Sequence, residues 1–379
     1  MSAPIRTPAG PSLDSAPEPA AGTSGLRGNP VLHRGPGRVY NPLTDRTLAD
    51  GEPGFSALWS VLAGARTPAQ LPAAERDALC AAGWLVPIDE DVSTRFLLKY
   101  VSLEASTVCN QGCYFCPVSI ARRDKYMMPT ELYEDIVRQI SAYRETIHAV
   151  FMINYNEPTA DPRFVDQVGM LRAAGLPPAT LTNGTGLTPK RVDALLELGG
   201  LRYLSINLST LNRERYAADR GGDHLPLVLR NLDYVKDLPV GEEMEIVVLG
   251  TGDETHQQDV REIERYYEGS RFTVKSYEVM DRAGYLPVGL KPDSPKERLC
   301  GCENVGSRPF QHLHITPEGK CVLCCEDYDE YHVVGDLTEE TVDEVLTGPR
   351  LALMRRWVYG LEEAPDNFIC RNCVFALDR

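Results

Sequence analysis

From residue 96 to about 290 the chain alternates between two textures. Short apolar runs bounded by turn-forming residues are each followed by a longer stretch with apolar positions every three or four residues. The short runs predict strands at 97–103, 149–153, 179–182, 203–208, 244–249 and 272–279. The longer stretches predict helices at 129–143, 164–174, 189–198, 225–238 and about 256–267. Strands and helices in alternation imply parallel strands joined by crossover helices. Six strands predict an α/β fold, a partial (β/α)6 barrel smaller than the eightfold form.

The flanks read differently. Residues 1–28 are rich in Pro, Ala, Gly and Ser with few large apolar residues, so they cannot offset the entropy of ordering and are expected to be disordered. Residues 29–95 are expected to form a small domain, with helices at 55–62 and 73–82 stopped near Gly64 and Gly83, then a short strand at 84–86. Residues 291–379 lack the alternation, and they hold seven of the eleven cysteines.

Composition narrows the chemistry. A formal net charge of −15 on 379 residues excludes a general nucleic-acid binder, which needs a positive field. No apolar run is long enough to span a bilayer, and the N-terminus lacks the apolar core of a secretory signal, so a cytoplasmic location is expected. In a reducing compartment, grouped cysteines read as metal or catalytic sites rather than disulfides. Ten of the eleven fall into four groups: Cys109/Cys113/Cys116, Cys300/Cys302, Cys321/Cys324/Cys325 and Cys370/Cys373. Cys80 stands alone in an Ala-rich helix and is expected to pack as a small apolar residue.

The first group follows the first barrel strand, where loops at strand C-terminal ends build active sites. Three thiolates within eight residues can hold three irons of a [4Fe–4S] cube, and the fourth iron is then open to a small molecule. A zinc site would usually show two paired CxxC groups instead. The run Cys109-x3-Cys113-x2-Cys116, with Phe115 before the last cysteine, resembles the signature of the radical S-adenosylmethionine (SAM) superfamily. The resemblance implies that SAM chelates the open iron and is cleaved reductively to a 5′-deoxyadenosyl radical. It also implies an electron donor such as flavodoxin or ferredoxin. Further segments extend it. Tyr155-Asn156-Glu157-Pro158 resembles the family's Gly-Gly-Glu-Pro element with both glycines replaced, and Thr182-Asn183-Gly184 resembles its strand-end segment near the adenosine. Ser205, Asn207 and Ser209 share one face of the fourth strand. The resemblance thus implies Phe115, Asn156, Glu157 and Asn183 as cofactor contacts, and the polar face of the fourth strand adds Asn207. Arg282, after the sixth strand, is a candidate for an anionic group.

In the C-terminal region, Gly319-x4-Cys324, with Cys302 before it and Cys370-x2-Cys373 after it, resembles the SPASM/twitch extensions of the same superfamily. The implied ligands of one auxiliary [4Fe–4S] cluster are Cys302, Cys324, Cys370 and Cys373, with Cys300, Cys321 and Cys325 as substitutes. A tetrahedral zinc site from these residues is the alternative. The helix expected around 351–359 is assigned to packing.

The 29–95 segment resembles a winged-helix peptide-recognition domain, which implies leader-peptide binding on a sheet edge. The expected domains are therefore a tail at 1–28, this accessory domain at 29–95, the barrel at 96–290 and the cluster domain at 291–379. The expected function is modification of a ribosomally made peptide in natural-product maturation. Dehydrogenation or epimerisation of a sugar or aminocyclitol is the alternative. A winged-helix iron–sulfur regulator that senses redox state is the reading from another class, and the acidic balance weighs against it.

Overall fold

The computed structural model describes residues 25–379. The chain opens with β1 (Leu26–Gly28), β2 (His33–Gly35), β3 (Arg38–Asn41), β4 (Arg46–Ala49), α1 (Phe55–Leu62), α2 (Ala73–Ala81) and β5 (Leu85–Pro87). β1 pairs antiparallel with β5, and β2, β3 and β4 form a three-stranded antiparallel sheet. The disordered tail expected to residue 28 is corrected here. Leu26–Gly28 is a paired strand, and a Cβ on Gly28 would lie 2.6 Å from Leu62, so glycine there admits close packing. The first 24 residues of that expectation lie outside the described residues. The two expected helices and the closing strand are present, whereas the three-stranded sheet ahead of them was not foreseen. A separate small core of Leu32, Val39, Leu58, Leu79 and Trp84 holds this unit, with Cys80 packed at its margin. It docks on the rest of the chain through Asp45–Lys99 (2.5 Å), His33 Nε2 and Tyr359 Oη (2.8 Å), and Gln311 donating to Tyr40 Oη (2.8 Å).

The barrel alternates β6 (Tyr100–Leu103), α3 (Thr130–Ile140), β7 (Ala149–Phe151), α4 (Phe164–Ala173), β8 (Pro178–Thr182), α5 (Pro189–Glu197), β9 (Leu201–Asn207), α6 (Arg213–Arg220), α7 (Leu225–Val235), β10 (Gly241–Gly250), α8 (Glu254–Tyr266) and β11 (Thr273–Glu278). The six strands are parallel and lie side by side in chain order. The helix side of the sheet is apolar. Val101, Leu103, Val150, Leu204, Ile206, Ile246 and Val248 are fully buried in one cluster with Ile136, Val168, Leu195, Leu232 and Ile263 from the helices. Each such side chain contributes roughly 1.5–3 kcal/mol by leaving water. Residues of the opposite parity, including Tyr100, Phe151, Tyr203, Ser205, Glu245 and Tyr277, line the other face.

The remaining elements are β12 (Leu299–Cys302), α9 (Arg308–Gln311), β13 (His312–Ile315), β14 (Lys320–Val322), β15 (Val333–Asp336), α10 (Val342–Thr347), α11 (Pro349–Val358) and β16 (Ala376–Asp378). β13 pairs in parallel with β6, so the C-terminal region extends the barrel sheet to nine strands in the order β11-β10-β9-β8-β7-β6-β13-β14-β15. β12 and β16 form a separate antiparallel pair. Among the described residues no helix is long and apolar enough to cross a membrane.

Candidate active site

The first cysteine group sits in the loop between β6 and α3, fixed from three sides. Cys116 N–H donates to Cys113 O (2.9 Å), which turns the loop, and Pro117 starts a short 3-10 turn. Arg122 donates to the carbonyls of Cys109 (3.1 Å) and Gln111 (3.0 Å). Arg123 pairs with the fully buried Glu104 (2.6 Å), which also accepts from Tyr155 N–H (2.9 Å), so one carboxylate binds the loops after β6 and β7 together. The α6 end supplies the third anchor: Gly112 N–H donates to Arg220 O (2.9 Å) and Tyr114 N–H to Asp219 O (3.0 Å). Gly221 ends α6 at φ 69° with its α-carbon side facing Gly112, a position that favours glycine on conformation and on space.

Sequence reasoning missed α6, and with it Arg220. The helix is mostly charged, with Tyr216 its one large buried apolar residue, so periodicity gave no signal. Its caps did, since Asn212 accepts from Arg215 N–H (3.0 Å) at one end and Gly221 closes the other. Arg220 is 2 % exposed. It donates to Asn207 Oδ1 (2.7 Å), Asn207 O (3.2 Å) and Ser209 Oγ (2.9 Å), its Nη1 lies 3.6 Å from Cys113 Sγ, and its guanidinium stands 4.9 Å from the Phe115 ring centre. Among the described residues no carboxylate pairs with it, and its Nε has no partner. A buried cation without an anion is costly. Cysteine thiolates on an iron–sulfur cube would provide that anion, so the donor set fits the group.

Burial pushes the Cys109 thiol up to about 12, with Glu157, Cys113 and Cys116 adding to it. Cys116 is raised by burial as well. Iron would have to displace those protons, as metal binding does for coordinating thiols. Among the described residues no three His, Cys, Asp or Glu side chains converge on a single-ion site. A cube gives each thiolate its own iron and needs no such convergence.

The expected SAM contacts gather beside this loop. Glu157 is buried, and its Oε1 accepts from Thr159 N–H (3.0 Å), Thr159 Oγ1 (2.5 Å) and Thr182 Oγ1 (2.6 Å), while Oε2 accepts from Asn183 N–H (2.7 Å). Burial raises its carboxyl above the ordinary value against those donors. Much of its capacity therefore braces the strand ends, leaving Oε2 room for one further donor. Asn183 donates to Asn110 Oδ1 (2.8 Å), and Asn110 donates to Thr185 Oγ1 (3.0 Å). Asn156 Oδ1 accepts from Asn154 N–H (3.3 Å). Tyr155, in the first of the two glycine places, packs edge-on against Tyr328 (4.7 Å), and its hydroxyl donates to the Cys325 carbonyl. Arg282, at φ 56°, lies 3.4 Å from Glu326 and over the Tyr155 ring.

In the C-terminal region, Cys302 at the end of β12 is paired in register with Ala376, just beyond Cys373. Cys370 lies in a short 3-10 turn that Cys373 caps, its N–H donating to Cys370 O (3.3 Å). Burial pushes Cys373 up to about 12, with Glu326 and Cys302 adding, and it raises Cys370, with Cys373 and Cys302 adding. The Cys324 and Cys325 thiols lie close to each other and to Arg308. Two of the expected substitutes lie elsewhere. Cys321 is fully buried beside Glu340, Asp336 and Arg350, and Cys300 lies beside Arg379, Asp378 and Lys296. Only Cys325 stays with the set.

A model described as the radical SAM superfamily matches residues 103–266, and one described as an iron–sulfur cluster-binding domain matches residues 302–374. A SAM-dependent 2-deoxy-scyllo-inosamine dehydrogenase of Niallia circulans is 30% identical over 283 residues, 73% of this chain and 93% of that protein. A cofactor-modifying protein for a tungsten-containing aldehyde ferredoxin oxidoreductase, from Pyrococcus furiosus, is 30% identical over 112 residues, 29% of this chain and 31% of that protein. Among solved structures, Streptococcus suis SuiB bound to its precursor peptide SuiA superposes with a TM-score of 0.53 at 13% identity, over 92% of this chain and 93% of that one.

Proposed function

This chain belongs to the radical SAM superfamily, and from that premise we propose that it modifies a peptide substrate in the maturation of a ribosomally made natural product. It is an enzyme with a SAM-binding [4Fe–4S] cluster and a C-terminal iron–sulfur domain. When bound, the catalytic cluster supplies the electron that cleaves SAM. In this reading Cys109, Cys113 and Cys116 hold that cluster, and Arg220 fixes a positive charge beside Cys113. Glu157 holds the strand ends in register, and its free acceptor site, with Asn156, Asn183, Asn207 and Phe115, faces SAM. Cys302, Cys324, Cys370 and Cys373 hold one auxiliary cluster, with Cys325 adjacent. The electron comes from a flavodoxin- or ferredoxin-type donor.

The observation that carries the peptide reading is the extent of the fold likeness to SuiB with its precursor peptide. It covers more of the chain than the barrel and C-terminal domain together make up, so it reaches the N-terminal unit. The identity to the inosamine dehydrogenase, across most of both chains, favours a second reading, oxidation of an aminocyclitol hydroxyl. The test is anaerobic reconstitution with SAM and a strong reductant, offering either a short peptide encoded beside the gene or 2-deoxy-scyllo-inosamine. The peptide reading expects 5′-deoxyadenosine and a mass change in the peptide. Turnover of the inosamine with an unchanged peptide would overturn it.

A further inference from the structure

The face of the barrel sheet turned away from the helices carries two carboxylates that the site above does not use, Glu243, which pairs with Arg202, and Glu245. Glu245 stands at the middle of β10, opposite Ser205 on β9 and Thr273 on β11. It is half-buried. Ser205 Oγ donates to its Oε1 (3.0 Å), and the Tyr203 hydroxyl lies close enough to feel its charge. Neutral hydroxyls surround the carboxylate without neutralising it. Among the described residues no Lys, Arg or His forms an ion pair with Glu245. The two carboxylates beside it in sequence, Glu242 and Glu243, both pair with Arg202. Lys275 on the same face stands in register with Val247, one pleat further along, and pairs with no carboxylate among the described residues.

The surroundings are aromatic. Tyr203 packs edge-on against Phe151 (6.0 Å), Phe151 lies 6.2 Å from Tyr100, and Tyr277, close enough to feel the Glu245 charge, is 49% exposed. A carboxylate among hydroxyls and ring faces is suited to a cation, through charge-assisted hydrogen bonds and cation–π attraction. Next to it, β9 carries Asn207, two pleats from Tyr203 towards the cysteine loop and bonded to Arg220, so the carboxylate lies on the face that runs up to the candidate SAM site.

We infer that Glu245 is a specificity-determining residue that binds an ammonium or guanidinium group of the substrate. The inference rests on the radical SAM reading and adds the charge of the substrate. The group has two sources, the amine of an aminocyclitol or a Lys or Arg side chain of a peptide, and the chemistry is shared.

The test measures binding to the reconstituted, SAM-loaded full-length enzyme. The probes are 2-deoxy-scyllo-inosamine, the peptide acetyl-Gly-Lys-Gly amide, and the same two molecules acetylated on the cyclitol amine and on the lysine Nζ. Binding of at least one free amine, ten-fold or more tighter than its acetylated form and about ten-fold weakened by Glu245→Gln, is the expected result. Tyr203→Phe, which keeps the carboxylate but removes one hydroxyl, is expected to weaken the same probe several-fold less. Which free amine binds tells the two sources apart. Equal binding of free and acetylated probes, binding of neither amine, or no effect of Glu245→Gln would overturn the inference. SAM cleavage by the wild-type protein is measured in parallel. Its loss would count against the radical reading, whereas SAM cleavage with charge-blind binding would count against Glu245 alone.

Discussion

Replacing Arg220 by Gln removes the cation lodged against the Cys113 thiol. The guanidinium lies 3.6 Å from Cys113 Sγ and is 2 % exposed, so solvent screening is slight. Two unit charges at that distance interact by about 4–5 kcal/mol at an effective dielectric near 20. An electron added to a cube is shared over its irons and sulfurs, which leaves on the order of 1–2 kcal/mol, or about 40–90 mV for a one-electron couple. Losing the cation disfavours the reduced, more negative state, so the potential of the SAM-binding cluster is expected to fall by that amount. The assay is a redox titration followed by electron paramagnetic resonance on protein with full iron content. Arg220→Lys keeps the charge on a different frame and is expected to recover most of the shift. A Gln variant with full iron whose potential stays within about 15 mV of wild type would refute the electrostatic account. So would a Lys variant that shifts as far as the Gln one, since packing would then be the cause.

Cys109→Ala is expected to abolish SAM cleavage and lower iron by about four atoms per chain, read by iron analysis and chromatography of 5′-deoxyadenosine; unchanged iron would overturn its place as a ligand. Cys373→Ala should lower iron yet leave some SAM cleavage, and complete loss in a folded protein would make the two sites inseparable. Cys321→Ser, deep in the core away from the other cysteines, should leave iron content unchanged while lowering thermal stability; loss of iron would make it a ligand. His33, lowered by burial to about 4 from an ordinary 6.5, binds a proton more readily when unfolded. Its contribution is therefore fully present above about 6.5 and lost as pH falls towards 4, by on the order of 2–3 kcal/mol. His33→Gln should flatten the difference in melting temperature between pH 5 and pH 7.5, and an unaltered difference would sink the assignment.

The barrel was legible because its strands and helices are built on opposite chemistry. Val101, Val150, Leu204 and Ile246 are fully buried under helices whose own apolar positions repeat at helical spacing, and the predicted strands fall on β6 to β11 within a few residues. The first cysteine loop was legible because its three cysteines lie within eight residues. What stayed hidden depends on partners far away in the chain. α6 has little apolar periodicity, and Arg220 meets Cys113 across 107 residues. β13 finds β6 more than 200 residues earlier, and three-residue strands such as β2 carry too few positions to show a period. The cysteines that sequence spacing left as equals, Cys300, Cys321 and Cys325, separate once burial and neighbours are known.

The pairing of β13 with β6 has a practical consequence for anyone who would recombine these enzymes. Chimeras usually join modules at a linker, yet here the covalent border near residue 290 is not the mechanical one, because the barrel's first strand is hydrogen-bonded to a strand from the far side of that border. A graft cut at the linker would strip a central strand of its neighbour and leave an open edge on the sheet of both halves. The interchangeable unit is therefore the barrel with β13 to β15 attached.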